Sequence, residues 1–122
     1  MQYMLLIHDD ESKWGTFSAD EQAAFMQEYF DYTSELRDAG AYVTGAQLQP
    51  TATATTVQVT DGETLTTDGP FAETKEQLGG YYLVDVNSLD EALEWAAKIP
   101  GAKHGAIEVR PVMVFDEEMK PS

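Results

Sequence analysis

His8 ends an apolar run and is followed at once by Asp9, Asp10 and Glu11. An imidazole titrates near neutrality, so a histidine at a strand end among carboxylates has the make-up of a general base, set against the plainer reading of a solvated loop histidine. Glu108 and Arg110 stand two residues apart near the other end of the chain. On a strand they share one face, with Ile107 and Val109 on the opposite one. If Ile107 and Val109 pack on helices, the charged pair points toward an interior. There the guanidinium could clamp an anionic substrate in bidentate fashion or pair with Glu108, and structural pairing is the favoured reading. Arg110 is nevertheless the first choice for a ligand-anchoring group.

The run Asp68-Gly-Pro-Phe-Ala-Glu-Thr-Lys-Glu-Gln-Leu-Gly-Gly-Tyr-Tyr82 concentrates further chemistry. Asp-Gly-Pro is turn punctuation, and Asp68 serves either to cap that turn or to take a proton. Phe71 and Lys75 follow on a connection longer than turn geometry requires, which makes them candidate ligand contacts. Lys75 lies between Glu73 and Glu76. Carboxylate neighbours favour the ammonium, a poor nucleophile, and argue against a Schiff-base lysine. Tyr81 and Tyr29 carry phenols that could polarise a carbonyl or developing enolate, although the aromatic stripe of Trp14, Phe25, Tyr29, Phe30 and Tyr32, which could line an apolar pocket, reads first as core. His104, in Lys103-His104-Gly105, reads as a loop residue. No Gly-x-Ser-x-Gly elbow or phosphate-binding glycine loop is present, and the two histidines lie too far apart in sequence to suggest paired metal ligands. Neither a metal nor a cofactor is expected.

These groups need elements to hold them. Residues 2–8 are apolar on both alternating faces and predict a central strand, while Asp9 to Phe17 reads as a polar loop. Ser18-x-x-Glu21 has capping-box form and opens a helix over 19–39, with Met26, Tyr29, Phe30, Thr33 and Leu36 as its apolar positions and Gly40 as its stop. A strand over 41–47 follows, then a hairpin in which Asp61-Gly62 joins 56–60 to 63–67. A strand over 80–86 leads to a helix over 89–98 with Leu89, Ala92, Leu93, Ala96 and Ile99 buried, and a last strand runs from Ala106 to Phe115. The order is α+β: a ferredoxin-like βαββαβ unit with an inserted β-hairpin. The chain reads as a single domain over 1–122 with a flexible tail at 116–122. Both helices fall on one sheet face. Tyr81, Leu83, Val112 and Val114 make the other face apolar enough to call for a partner, most simply a second copy closing two sheets into a barrel.

Together with Tyr3-Met-Leu-Leu-Ile7, Leu48-Gln-Pro-Thr-Ala-Thr-Ala-Thr-Thr56 and Glu108-Val-Arg-Pro-Val112, the Asp68–Tyr82 run resembles the DGPF branch of the YCII-related proteins over about 2–115. The resemblance implies a dimeric α+β barrel with one cleft per protomer, as in muconolactone isomerases and small monooxygenases. Some YCII-related proteins look like His–Asp enzymes, with the histidine on the first helix. Here Asp38 matches the aspartate, but the helix contains no histidine and Tyr29 stands nearest by spacing, so that dyad does not carry over. Genes of this branch often lie beside alternative sigma factors, which raises a regulatory reading.

Composition bounds the rest. The 122 residues carry 22 acidic and 7 basic side chains, a net charge of −15 that repels a nucleic-acid backbone. Absence of cysteine removes disulfides and thiolate chemistry, and the longest aliphatic run, Met4–Ile7, is too short to span a membrane. A cytoplasmic location is expected. Two functional classes result. One is a cleft protein for a small anionic or carbonyl compound, acting as a cofactor-independent lyase, isomerase or oxygenase with Arg110 as anchor, His8 or Asp68 as proton carrier and Tyr29 or Tyr81 on an oxygen. The other is a non-catalytic regulatory or protein-interaction module.

Overall fold

In the computed structural model, which describes residues 1–115, the apolar run at the start forms β1 (Gln2–Asp9) at the middle of a sheet. The other elements are α1 (Ala19–Asp38), β2 (Tyr42–Gln47), β3 (Thr55–Thr60), β4 (Glu63–Asp68), β5 (Gln77–Asp85), α2 (Leu89–Ala97) and β6 (Ala106–Pro111). Four strands pair antiparallel in the order β2-β5-β1-β6, the ferredoxin-like arrangement, while β3 and β4 form a separate two-stranded sheet. The expected tail at 116–122 lies outside the described residues.

Local chemistry fixes the helix ends. The Ser18 hydroxyl accepts from the Glu21 amide at 3.1 Å while the Glu21 carboxylate accepts from the Ser18 amide at 3.0 Å, completing a capping box. The Ser18 amide first and the Ser18 hydroxyl second hold the Glu21 carboxyl below the usual carboxylate range. At the other end Gly40 takes φ +75°, with its amide bonded to the Arg37 carbonyl and that of Ala41 to the Leu36 carbonyl, a Schellman stop. α2 opens with a variant: Ser88 accepts from the Glu91 amide, but the Glu91 carboxylate accepts from Asn87.

One core lies between the sheet and the two helices. Tyr3 and Leu5 of β1, Tyr82 and Val84 of β5, Tyr32 and Leu36 of α1, and Ala92 and Ala96 of α2 are buried together, with Ile107 and Val109 packed against them. Fully burying a side chain such as Leu5, Leu36, Val84 or Ile99 stabilises by about 1.5–3 kcal/mol. The Tyr32 hydroxyl enters this layer by donating to the Trp95 carbonyl at 2.9 Å, and burial pushes its ionisation well above the ordinary value.

The structure departs from the sequence reading in four places. Glu11–Thr16 is a 3₁₀ helix rather than a loop, started by the Asp10 carboxylate accepting from the Ser12 amide. Leu89 and Leu93 are exposed because α2 turns Trp95 toward Tyr32 and buries Ala92, Ala96 and Ile99. On α1, Phe30 is exposed and Tyr32 takes the buried place. The last strand stops at Pro111 rather than Phe115, with one further ladder bond from the Val112 amide to the Gln2 carbonyl.

The β1–β5 register slips between Ile7 and His8: Ile7 stands opposite Gly80 and His8 opposite Leu78, leaving Gly79 as the extra residue of a β-bulge. The two glycines are not equivalent. A Cβ on Gly80 would meet the Ala46 carbonyl oxygen at 2.8 Å, whereas a Cβ on Gly79 would find only the Ile7 oxygen at 3.9 Å. In urea unfolding, Gly80→Ala should therefore cost about 1–3 kcal/mol through overpacking. Gly79→Ala should stay within about 0.5 kcal/mol of the parent.

Candidate functional site

Strand alternation gives β1 two different faces. Tyr3, Leu5 and Ile7 point to the helices, so Met4, Leu6 and His8 point to the open side. Pairing then fixes their neighbours. Met4 lies opposite Arg110 and Leu83, and Leu6 opposite Glu108 and Tyr81, so the open face carries His8, Glu108, Arg110 and Tyr81 around an apolar strip of Met4, Leu6 and Leu83. Because Ile107 and Val109 do pack toward the helices, the condition that turns Glu108 and Arg110 to this face is met.

On that face Glu108 bridges two partners. Its Oε1 lies 3.5 Å from His8 Nε2, and its Oε2 accepts a hydrogen bond from Arg110. His8 Nε2 is buried and has no hydrogen-bond partner among the described residues. A buried polar atom left without a partner calls for an explanation, and a group seated against it would supply one. Arg110 is largely exposed, at 69% of its side chain, so the ion pair itself contributes little to stability. The other arginine, Arg37, is engaged differently, lying 4.7 Å over the Tyr42 ring.

The remaining candidates from the sequence lie elsewhere. Tyr29 is on the helix side: its hydroxyl oxygen accepts from the Gly101 amide at 3.1 Å, and burial pushes its ionisation up to about 12. The sheet separates it from His8. Asp68 ends β4 opposite Thr55 and is exposed, as are Lys75 and Phe71, the latter at 79%. The run after Asp68 borders an open groove of about 370 Å³ against the turn at Thr51 and Ala52. Its organising residue is Gln77, which the sequence did not single out. The Gln77 side-chain carbonyl accepts from the Glu11 amide at 3.0 Å, its amide nitrogen donates to the Thr74 carbonyl at 2.5 Å, and the Glu11 carboxylate accepts from the Thr51 amide and hydroxyl. His104 is exposed, with its ring against Phe17 and Phe25 and its carbonyl accepting from Lys13 Nζ at 3.0 Å.

A second concavity, of about 110 Å³, opens on the helix side at the end of β1. Its apolar lining is Ile7, Trp14, Phe17 and Phe25, and Gly79 borders it. The sequence offers Trp14 and Phe25 as pocket lining but favours core for them, and it passes over Phe17. The aromatic spacing at 14, 17 and 25 and the paired glycines at 79 and 80 were the available signals. Among the described residues no three His, Asp or Glu side chains cluster at metal-ligating spacing, and no helix is long and apolar enough to cross a membrane.

The YCII-related domain matches residues 1–116, and the chain belongs to that family. It is similar along its whole length to an uncharacterized protein of Rhizobium meliloti (strain 1021), 40% identical over 124 residues and covering 100% of both chains. Its fold is similar to that of the solved 5-chloro-2-hydroxyhydroquinone dehydrochlorinase (TftG) from Burkholderia phenoliruptrix AC1100 in complex with 2,5-dihydroxybenzoquinone. The TM-score is 0.54 with 14% identity, covering 93% of this chain and 94% of that one.

Tyr29 provides a test of the packing behind both faces. In the unfolded chain its phenol ionises near 10, and in the folded one near 12, so unfolding between those pH values releases protons. The stability it contributes is complete below pH 10 and is lost as pH rises through 12. Chemical denaturation across this range should show a falling stability whose slope is shallower in Tyr29→Phe. That variant should also lose about 1–3 kcal/mol at neutral pH because the Gly101 amide loses its acceptor.

Proposed function

We propose that this YCII-related protein binds a small anionic or carbonyl compound on the sheet face that carries His8, Glu108 and Arg110, and acts on it without a cofactor as a lyase, isomerase or oxygenase. The observation that carries this reading is the unpartnered, buried Nε2 of His8 beside a carboxylate that is itself held by Arg110. In the reaction His8 Nε2 takes a proton from the carbon next to the substrate carbonyl. The electron pair stays on the substrate as an enolate, Glu108 balances the imidazolium, and the Arg110 guanidinium faces the developing oxyanion. Tyr81, on the same face, is placed to donate to a second oxygen, while Met4, Leu6 and Leu83 exclude water from one side. A second copy of the chain laid over this face would close the site, and the homodimer is part of the proposal.

Support also comes from the fold's likeness to a dehydrochlorinase whose complex holds 2,5-dihydroxybenzoquinone, a small ring with two carbonyls. That compound is therefore a suitable first probe. Equilibrium dialysis should show binding to the parent protein, at least tenfold weakened in Arg110→Ala, a loss of about 1.4 kcal/mol. His8→Gln should retain binding and lose any turnover seen by absorbance. Neither variant should alter the melting temperature beyond a few degrees. If neither this compound nor a panel of small keto acids binds, or if Arg110→Ala binds as the parent does, the reading fails.

One observation favours the interaction module as a second reading. Val57, Val59 and Leu65 of the hairpin and Phe71 beyond it are each more than half exposed. Loss of a protein partner on Phe71→Ser, with small-molecule binding unchanged, would support that reading over the first.

A further inference from the structure

We infer that the outer edge of β3 is a docking strand for an extended, basic segment of another protein, which pairs with it as a third strand of the ribbon. The inference rests on the interaction-module reading and names the partner's chemistry. Register decides what the edge offers. The Gly69 amide donates to the Ala54 carbonyl at 2.7 Å, so Ala54 and Gly69 form a hydrogen-bonded pair at the ribbon's base. Alternation along an antiparallel pair then makes Thr56–Thr67, Gln58–Leu65 and Thr60–Glu63 the bonded pairs. The backbone groups of Thr55, Val57 and Val59 are left pointing away from β4, and among the described residues no strand pairs with them.

β3 lacks the devices that guard the other edges. An exposed strand edge invites pairing, and proteins blunt it with charges, prolines or bulges. At one edge of the main sheet β6 carries Glu108, Arg110 and Pro111, and at the other β2 has a break in register between Tyr42 and Thr44. β4 begins on Glu63 and ends on Asp68. β3 runs Thr55-Thr-Val-Gln-Val-Thr60 with no charge, no proline and no break in register. Val57 and Val59 share one face with Thr64 and Thr66, and they are 59% and 67% exposed. A two-stranded ribbon is marginal in water. A third strand along this edge would satisfy the outward backbone groups and flank the valines with alternate side chains of its own.

Charge selects the partner. Asp61, Glu63 and Asp68 belong to the hairpin, Glu73 borders the groove at its base, and no lysine or arginine falls between Arg37 and Lys75 in the sequence. A second copy laid edge to edge would bring two such acidic ribbons together on two chains of net charge −15. A segment in which lysine or arginine flanks a run of alternating valine and threonine meets attraction instead, and its β-branched side chains match those of β3 across the new pair.

The test is a ¹⁵N-correlation NMR titration of the full chain with the capped peptide Lys-Thr-Val-Thr-Val-Thr-Lys, the same peptide with glutamate at both ends serving as the charge-reversed control. At saturation, hydrogen exchange at the Val57 and Val59 amides should slow at least tenfold, and the charge-reversed peptide should bind at least tenfold more weakly. Val57→Pro removes one outward donor without touching a ladder bond and should weaken binding at least tenfold. If Val57→Pro disturbs the ribbon, Val57→Lys decides, its cation expected to weaken binding of the basic peptide at least threefold. Unchanged exchange at both valines, equal binding of the charge-reversed peptide, or full affinity in the valine variants would each overturn the inference. Exchange that slows with protein concentration alone would assign the edge to a second copy and overturn it too. A protein partner lost on Phe71→Ser yet indifferent to Val57→Pro would keep the interaction-module reading and overturn this one.

Discussion

Both edges of β1 are paired, and most of the molecule's organisation depends on that constraint. A strand with β5 on one side and β6 on the other has no freedom of register, so each of its side chains is committed to one of two faces. Tyr3, Leu5 and Ile7 go to the helices and form the layer that buries Tyr32 and Leu36. Met4, Leu6 and His8 are left to the other side with the partners that pairing assigns them. The meeting of His8 with Glu108 follows from this, because a strand of one chain end is brought against a strand of the other by the ferredoxin-like order. Without that pairing, His8 would be a solvated residue in an acidic stretch.

The bulge opposite Ile7 relaxes the constraint at one point only. It lets β5 begin early, at Gln77, and so brings the end of the Asp68–Tyr82 run onto the sheet. Gln77 then holds the Glu11 backbone, and Glu11 holds the Thr51 turn, so that three stretches far apart in sequence are tied by side-chain to backbone bonds. The density of polar residues in that run is thus partly architectural. Thr74 and Gln77 spend their bonds within the run and on Glu11, while Phe71 and Lys75 remain turned to solvent.

Much of this was legible from the residues. Ser18-x-x-Glu21, Gly40 and Asp61-Gly62 act through bonds to their own backbone, and each produced the local structure its spacing announced. The family and the α+β order were legible too. What the sequence left hidden depended on rotation and on long-range bonds. Leu89 and Leu93 fit the helical period as well as Trp95 does, and only the position of Tyr32 decides which flank of α2 is buried. The 3₁₀ helix at Glu11–Thr16 has no hydrophobic period of its own and is held from outside by Gln77, Gln22 and His104. Tyr29 lay close to the position a family histidine would take, yet its oxygen is used by Gly101, a partner 72 residues away.

The β3–β4 hairpin stands apart from the main sheet, with every residue of β4 exposed and just two bonds, Gly69 to Ala54 and Thr56 to Gly69, closing its open end. A two-stranded ribbon of this kind is marginal by itself in water. Its ladder can therefore open and close while the four-stranded sheet stays intact, giving the molecule two cooperative units of very different lifetime. Amide protons of Gln58 and Leu65 would then exchange with solvent by local fluctuation, and those of Leu5 and Val84 only when the whole fold is lost.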